Sequence, residues 1–267
     1  MLATSSLFNR VLVPVDGTPS SIRAVPIAVA LANQLKVPLL LTGAGTSTDA
    51  VSRLLDRIGE IAANLDGDVE VEVRQSRAVH DGLLAAIGRH RHCVVVVATQ
   101  ASRPVTELLL GSVADSLVRD STRPVVLVGP HATAPDPLLG YESLLACVDG
   151  SPNSERLVPL LVGAQDGLGL SPTLLEVTAD GTPSAAVDRL ARQLTNEPVD
   201  ITRVHLRGTD PASLIVGAAS DQPRSIVAIA TKGRDAFQRL RESSVALAVT
   251  RSCTSPVLVV GPQVVTI

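Results

Sequence analysis

The chain has 267 residues and is 45% hydrophobic but only 1% aromatic, with no Trp, one Tyr and two Phe. It is long enough for two ordinary domains, and its core must be built from Ala, Val, Leu and Ile. The scarcity of aromatic platforms and a formal net charge of −3 exclude a nucleic-acid binder that works by base stacking or bulk phosphate attraction.

Taken in chain order, Val11–Val15 is a short, mostly β-branched run and reads as a strand. Thr18 and Pro19 then supply an N-cap and a proline at the first helical position, and Ile22–Leu35 continues as a helix. Pro38–Thr42 is a second strand. Within Asp49–Leu65 the apolar residues Val51, Leu54, Leu55, Ile58, Ile61, Ala62 and Leu65 fall at helical spacing. Val69–Val73 alternates apolar and acidic residues, as a more exposed strand would. His80–Arg89 is helical, and Val94–Ala98 is wholly apolar, which suits the middle of a parallel sheet. Ser112–Arg119 is a helix and Val125–Val128 the last strand of the series.

The Pro- and Gly-bearing stretch Gly129–Ser143 reads as a connection, which gives domains at 1–130 and 144–267 with a linker at 131–143. Strands follow at Leu144–Val148, Thr173–Val177, Asp200–Leu206, Ile226–Ala230 and Val257–Val260. Pro159 is expected to kink or shorten the first helix of this second series. The two series are copies. VLVPVDGTPSS (Val11–Ser21) returns as LLACVDGSPNS (Leu144–Ser154), VVVVATQ (Val94–Gln100) as SIVAIATKG (Ser225–Gly233), and RPVVLVGP (Arg123–Pro130) as SPVLVVGP (Ser255–Pro262), all at an offset of about 132 residues. Strands alternating with helices imply an α/β fold with right-handed crossovers and a parallel sheet covered on both faces. The two copies are expected to join as an internal pseudo-dimer through Val125–Val128 and Val257–Val260, because these apolar edge strands are a liability when unpaired.

In such a sheet ligands sit at the carboxyl ends of the strands, where the strand order reverses. Asp16 and Asp149 end the first strand of each copy and precede Gly17 and Gly150. A carboxylate there can accept from a ribose hydroxyl or an adenine amino group, or can help cap the helix that follows. The loop after the fourth strand ends in Gly111-Ser112 in copy one and Ser243-Ser244 in copy two, each opening a helix whose free N–H groups favour an anion.

These segments, with LLLGSVADSLV (Leu108–Val118), resemble the universal stress protein family, over nearly the whole chain and twice. The resemblance implies two tandem three-layer α/β/α domains, each with a five-stranded parallel sheet in the order 3-2-1-4-5. It also implies dimerisation through the last strand and, in the nucleotide-binding branch, ATP held by Gly-x2-Gly-x9-Gly-Ser/Thr. Both copies depart from that motif. Copy one has Ala98 and Ala101 at the loop glycines but keeps Gly111 and Ser112. Copy two has Ala230, keeps Gly233, replaces the last glycine by Ser243 and keeps Ser244. Ala101 and Pro104 remove conformational freedom and a donor from the first loop, whereas Lys232 and Arg234 flank Gly233, so the loops alone rank copy two as the better site.

The expected function is a stress-response binding protein rather than an enzyme, with adenine nucleotide (ATP) held weakly or lost at degenerate sites. A weak ATPase stays open. The alternative is a nucleotide-free interaction module that keeps the fold. An aspartyl-phosphate nucleophile is missing, since its position holds Pro14 or Cys147. Cys93, Cys147 and Cys253 match neither a disulfide framework nor a zinc spacing and read as buried thiols. No metal is expected. Met1–Arg10 carries no secretory pattern, and no apolar run nears the ~20 residues of a membrane span. The chain is therefore expected to be cytoplasmic, with no membrane or nucleic-acid partner and a homodimer as its further association.

Overall fold

Apolar β-branched runs and amphipathic stretches alternate through the computed structural model, which describes residues 7–99, 111–195, 200–231 and 245–264. In the first half the elements are β1 (Arg10–Pro14), α1 (Pro19–Ile22), α2 (Ala24–Leu35), β2 (Leu39–Gly45), α3 (Thr48–Ala63), β3 (Val69–Gln75), α4 (Val79–Arg89), β4 (Cys93–Ala98), α5 (Ser112–Asp120) and β5 (Val125–Val128). The second half has β6 (Ser143–Val148), a 3-10 segment (Pro152–Leu157), α6 (Val158–Val162), α7 (Ala164–Leu168), β7 (Ser171–Thr178), α8 (Ala185–Thr195), β8 (Thr202–Arg207), α9 (Pro211–Ser220), β9 (Ser225–Ala230), α10 (Val245–Ser252) and β10 (Val257–Val260).

Local chemistry sets most of these limits. Thr18 caps α1, its Oγ1 accepting from Ser21 N at 3.3 Å, with Pro19 at the first helical position. The single expected helix over Ile22–Leu35 is instead divided at Arg23 into α1 and α2, and α2 ends at Lys36 in the left-handed region (φ 55°). Ser47 caps α3 through Ala50 N at 3.2 Å. In the second half, Pro159 sits in the first turn of α6. There the equivalent of α1 and α2 is broken into the 3-10 segment, α6 and α7.

One ten-stranded sheet runs through the chain in the order β3-β2-β1-β4-β5-β10-β9-β6-β7-β8. Within each half all neighbours are parallel, and each half has the order 3-2-1-4-5 counted from its own first strand. The halves meet where β5 pairs antiparallel with β10, Val126 opposite Leu258 and Leu127 opposite Val257. The two five-stranded sets expected from the sequence are thus fused into one sheet by the strands whose edges needed cover.

The seam also joins the cores. Val126, Val128, Leu258 and Val260 face one apolar cluster and Val125, Leu127, Val257 and Val259 the other, and both clusters draw side chains from both halves. The first layer holds α2, α3, α6, α7 and α8, and the second α4, α5, α9 and α10. Gln34 of α2 bridges the halves further. Its Nε2 donates to Tyr141 O (3.1 Å) and Leu168 O (2.9 Å), and its Oε1 accepts from Tyr141 N (2.9 Å).

The glycine closing each last strand is explained by this seam. A Cβ on Gly129 would overlap the Thr250 carbonyl oxygen of α10, and a Cβ on Gly261 would lie 2.7 Å from the Val118 carbonyl oxygen of α5. Each glycine therefore lets its half approach a helix of the other. Gly129→Ala and Gly261→Ala should each destabilise by about 1–3 kcal/mol, since a helix backbone has to move. Gly88→Ala in α4, where nothing lies within 4 Å of the added carbon, should instead stabilise by roughly 0.4–1 kcal/mol. Urea unfolding of the three variants checks this, and equal effects at all three positions would remove the seam explanation.

Candidate functional site

The turn after β1 is built by a closed set of short hydrogen bonds. Gly17 takes φ +77°, which a side chain would resist, and lets the chain reverse directly after Asp16. Asp16 Oδ1 then accepts from Thr18 N (2.9 Å), Thr18 Oγ1 (2.7 Å) and Ser21 Oγ (2.6 Å), and Asp16 N donates to Ser21 Oγ (3.2 Å). Asp16 is therefore not the cap of α1 but the brace of the residue that caps it. No hydrogen bond to its Oδ2 occurs among the described residues. Partial burial pushes the Asp16 carboxyl up, but the hydrogen bonds from Ser21 and Thr18 outweigh it and leave the pKa below its ordinary value.

The same turn follows β6. Gly150 takes φ +72°, Asp149 Oδ1 accepts from Ser151 N (3.0 Å) and Ser154 Oγ (3.0 Å), and Asp149 N donates to Ser154 Oγ (3.2 Å).

In the first half a cleft opens above the carboxyl ends of β1, β2 and β4, at the point where the strand order reverses. It encloses about 650 Å³, counting the solvent at its mouth. Asp16, Gly43, Leu54, Val97, Gly111 and Ser112 are among the residues that line it. Three residues singled out from sequence, Asp16, Gly111 and Ser112, thus border one space. Gly111 is the N-cap of α5 and offers no side chain to the first-turn N–H groups, while Ser112 is exposed at the first helical position. Asp149 lies in the corresponding turn of the second half, beside a smaller cleft of about 330 Å³ bordered by Ser154, Glu155, Arg189 and Leu190. Gly233 and Ser244, with Lys232 and Arg234, lie outside the described residues, as do Ala101 and Pro104.

Several polar contacts at the ends of these strands escaped the sequence reading. Arg23 donates to Thr99 O at the end of β4, and Arg156 donates to Thr231 O (3.3 Å) at the end of β9. The signal was present in the repeat, since SSIR (Ser20–Arg23) returns as NSER (Asn153–Arg156). The second is a set on β7 and β8 in which Glu176 is buried and Thr178 and His205 are partly exposed. Glu176 Oε2 accepts from Ser184 N (3.1 Å) and stands 3.2 Å from His205 Nδ1, while His205 Nε2 lies 2.9 Å from Thr178 Oγ1. No run of sequence pairs these residues; only strand register does. Among the described residues no group of three or more His, Cys, Asp or Glu could hold a metal ion, and no helix is long and apolar enough to cross a membrane. Cys93 and Cys253 are buried, Cys147 is partly exposed, and all three are free; burial pushes the Cys93 thiol up to about 11.

Residues 164–261 match the profile of the Universal stress protein family. No curated protein matches the chain. A solved universal stress protein from Archaeoglobus fulgidus DSM 4304 has a TM-score of 0.70 at 16% identity, covering 95% of this chain and 98% of its own. A proposed universal stress protein from Pseudomonas aeruginosa UCBPP-PA14 gives 0.61 at 14% identity, covering 96% and 94%. The cytoplasmic domain of a prokaryotic cation chloride cotransporter gives 0.55 at 11% identity over 97% of each chain. Identities at this level speak for the shared fold alone.

The Asp16 brace carries a pH signature. Its folded pKa is depressed, so its stabilisation is complete above the ordinary carboxylate range and fades as pH falls through the folded value. Asp16→Ala should cost about 1 kcal/mol at pH 6 and progressively less below pH ~4. Urea melts of parent and variant should therefore converge in acid; a gap that stays constant from pH 6 to pH 2.5 would show that the carboxylate does not brace the turn.

Proposed function

From the premise that this chain belongs with the universal stress proteins through residues 164–261, we propose that it is a stress-response binding protein whose first-half cleft takes an adenine nucleotide. The observation that carries the reading is the single cleft shared by Asp16, Gly111 and Ser112 at the strand-order reversal. Leu54, Val79 and Val97 give it apolar walls suited to a flat heterocycle, and the Gly43 floor carries no side chain.

The residues present fit the ligand at both ends. Oδ2 of Asp16 is left to accept from a sugar hydroxyl or an exocyclic amine, because Oδ1 is already occupied by the turn. The N-cap Gly111 gives the start of α5 no side-chain cap, and the Ser112 hydroxyl lies beside its first N–H groups, which suits a phosphate. This reading puts the better site in the first half, the reverse of the ranking that the loop residues alone suggest. The role is binding, with no residue assigned to turnover. The rival reading, a nucleotide-free interaction module, draws on Ala101 and Pro104 in the loop that would meet the phosphates.

Ser112→Asp separates the two. A carboxylate in the first turn suits a helix and should leave stability unchanged or slightly raised. The same charge would repel phosphate, so ATP affinity should fall at least ~10-fold, about 1.4 kcal/mol. Calorimetry of parent and variant with ATP and with adenosine reads this out. Loss for ATP with little change for adenosine is expected; no binding of either ligand by the parent would favour the interaction module.

A further inference from the structure

We propose that Glu176, His205 and Thr178 form a protonation-dependent latch on the start of α8, closed when the imidazole is charged and loosened when it is neutral. The latch holds whatever the first-half cleft binds. The repeat supplies its control. Pro14 lies opposite Thr42 and Cys147 opposite Leu175, so Gly43 and Gly45 of β2 hold the places of Glu176 and Thr178 on β7. On the outer strand Gly43 pairs with Val73, and Glu176 with His205. In the first half the start of α3 packs straight onto the strand: a Cβ on Gly45 would stand 2.9 Å from Val51 N, and one on Gly43 2.6 Å from Leu54 Cδ2. In the second half three polar side chains replace two glycines and a valine, and the start of α8 is tied to them.

Ser184 caps α8, its Oγ accepting from Val187 N at 3.3 Å, and its own N–H donates to Glu176 Oε2 at 3.1 Å. Glu176 is 2% exposed, and the same oxygen stands 3.2 Å from His205 Nδ1. His205 Nε2 lies 2.9 Å from Thr178 Oγ1, and Thr178 donates to Thr182 O at 3.2 Å. Gly181, at φ +79°, rests on β8, where a Cβ would stand 3.2 Å from Arg207 Cβ. The turn from 179 to 184 is thus fastened twice to β7, at Thr182 by Thr178 and at Ser184 by Glu176.

The protons of this set can be counted. Thr178 has one hydroxyl proton, and it goes to Thr182 O. Its Oγ1 can then only accept from His205, so Nε2 carries a proton. A carboxylate at Glu176 calls for a proton on Nδ1 as well. All contacts are satisfied together only by an imidazolium against a carboxylate. Loss of one proton keeps Nδ1–H on Glu176 and leaves a lone pair at Nε2. Thr178 must then turn its hydroxyl to Nε2 and abandon Thr182 O. The loosened state holds one proton fewer, so the latch is complete in acid and fades as pH rises. Histidine is the side chain that changes charge between pH ~5 and ~8.

Other charges surround the ring. Arg203 and Arg207 flank it on β8 and oppose its charge, while Asp180 in the turn and Asp188 in the first turn of α8 favour it. The Asp180 carboxyl is itself held below its ordinary value, chiefly by the hydrogen bond from Thr182 N. α8 supplies Val187, Arg189 and Leu190 to the second-half cleft, so the latch governs how firmly that wall is held.

Hydrogen exchange of the full chain, corrected for the intrinsic pH dependence of amide exchange, tests this. Between about pH 5.5 and about pH 8, protection over 179–187 should fall about fivefold, as the loss of one neutral hydrogen bond implies. The equivalent segment 46–51 should change less than twofold. Thr178→Val should show the parent's alkaline protection already in acid, and His205→Asn, which cannot gain a proton, should lose the pH response. Ring nitrogen shifts of His205, assigned by their absence in His205→Asn, should report both nitrogens protonated in acid and Nδ1 alone in base. A flat parent, a pH response that survives Thr178→Val, or a neutral ring protonated at Nε2 would each overturn the latch. If His205→Asn does not fold, the parent and Thr178→Val results decide.

Discussion

The antiparallel pairing of β5 with β10 is the constraint on which the rest of the molecule depends. Each half alone would expose an apolar strand edge of four residues, Val125–Val128 or Val257–Val260. Pairing them satisfies both edges and sends alternate side chains of the seam into the two cores. It also draws α5 and α10 so close to the opposite half that only glycine fits at positions 129 and 261. Because the pairing is antiparallel while each half is internally parallel, the carboxyl ends of the two strand sets point to opposite ends of the sheet. The turns at Asp16 and Asp149 therefore lie far apart in the architecture, and each cleft has to be completed by its own half.

The pairing has a further consequence for association. A dimer through the last strand, which the family resemblance implies, is already made inside this chain. The strands left at the outer edges are β3 and β8. They carry Glu70, Glu72 and Arg74 on one side and Arg203, His205 and Arg207 on the other. Charges on an edge strand oppose the addition of another strand, so the sheet is closed at its centre by pairing and guarded at its rims by charge.

Much of this was legible in the sequence because it is written in local patterns. Apolar runs, caps and the repeat at about 132 residues are short-range signals, and they specify the order of elements and the pairing of the last strands. Other features are set by contacts between distant residues and leave weak local traces. Arg23 reaches the Thr99 carbonyl, 76 residues on, a contact that no local pattern announces. Gly129 reads as the start of a linker until the Thr250 carbonyl is seen against it. Glu176 reads as one acid inside an apolar strand, and nothing near it in sequence shows that His205 stands opposite. The loop glycines are the most visible signal in the sequence, whereas the cleft that Gly43 of β2 and Leu54 of α3 line in the first half has no motif.

The two halves differ in which repeated residues they keep. The seam glycines 129 and 261, the Asp–Ser turns at 16–21 and 149–154, and the arginines at 23 and 156 recur in equivalent roles. All of them serve the backbone path or the packing of one element on another. Other equivalent positions do not recur: Gly43 against Glu176, Val73 against His205, and Gly111 against Ser243. The Asp turn must then be weighed as two functions carried by one residue. Its Oδ1 holds the turn in both halves, so an aspartate is needed there whether or not anything binds. In the first half Asp16 also borders a cleft. A repeated motif can thus be fixed by the fold in both copies while the cleft beside it differs between them.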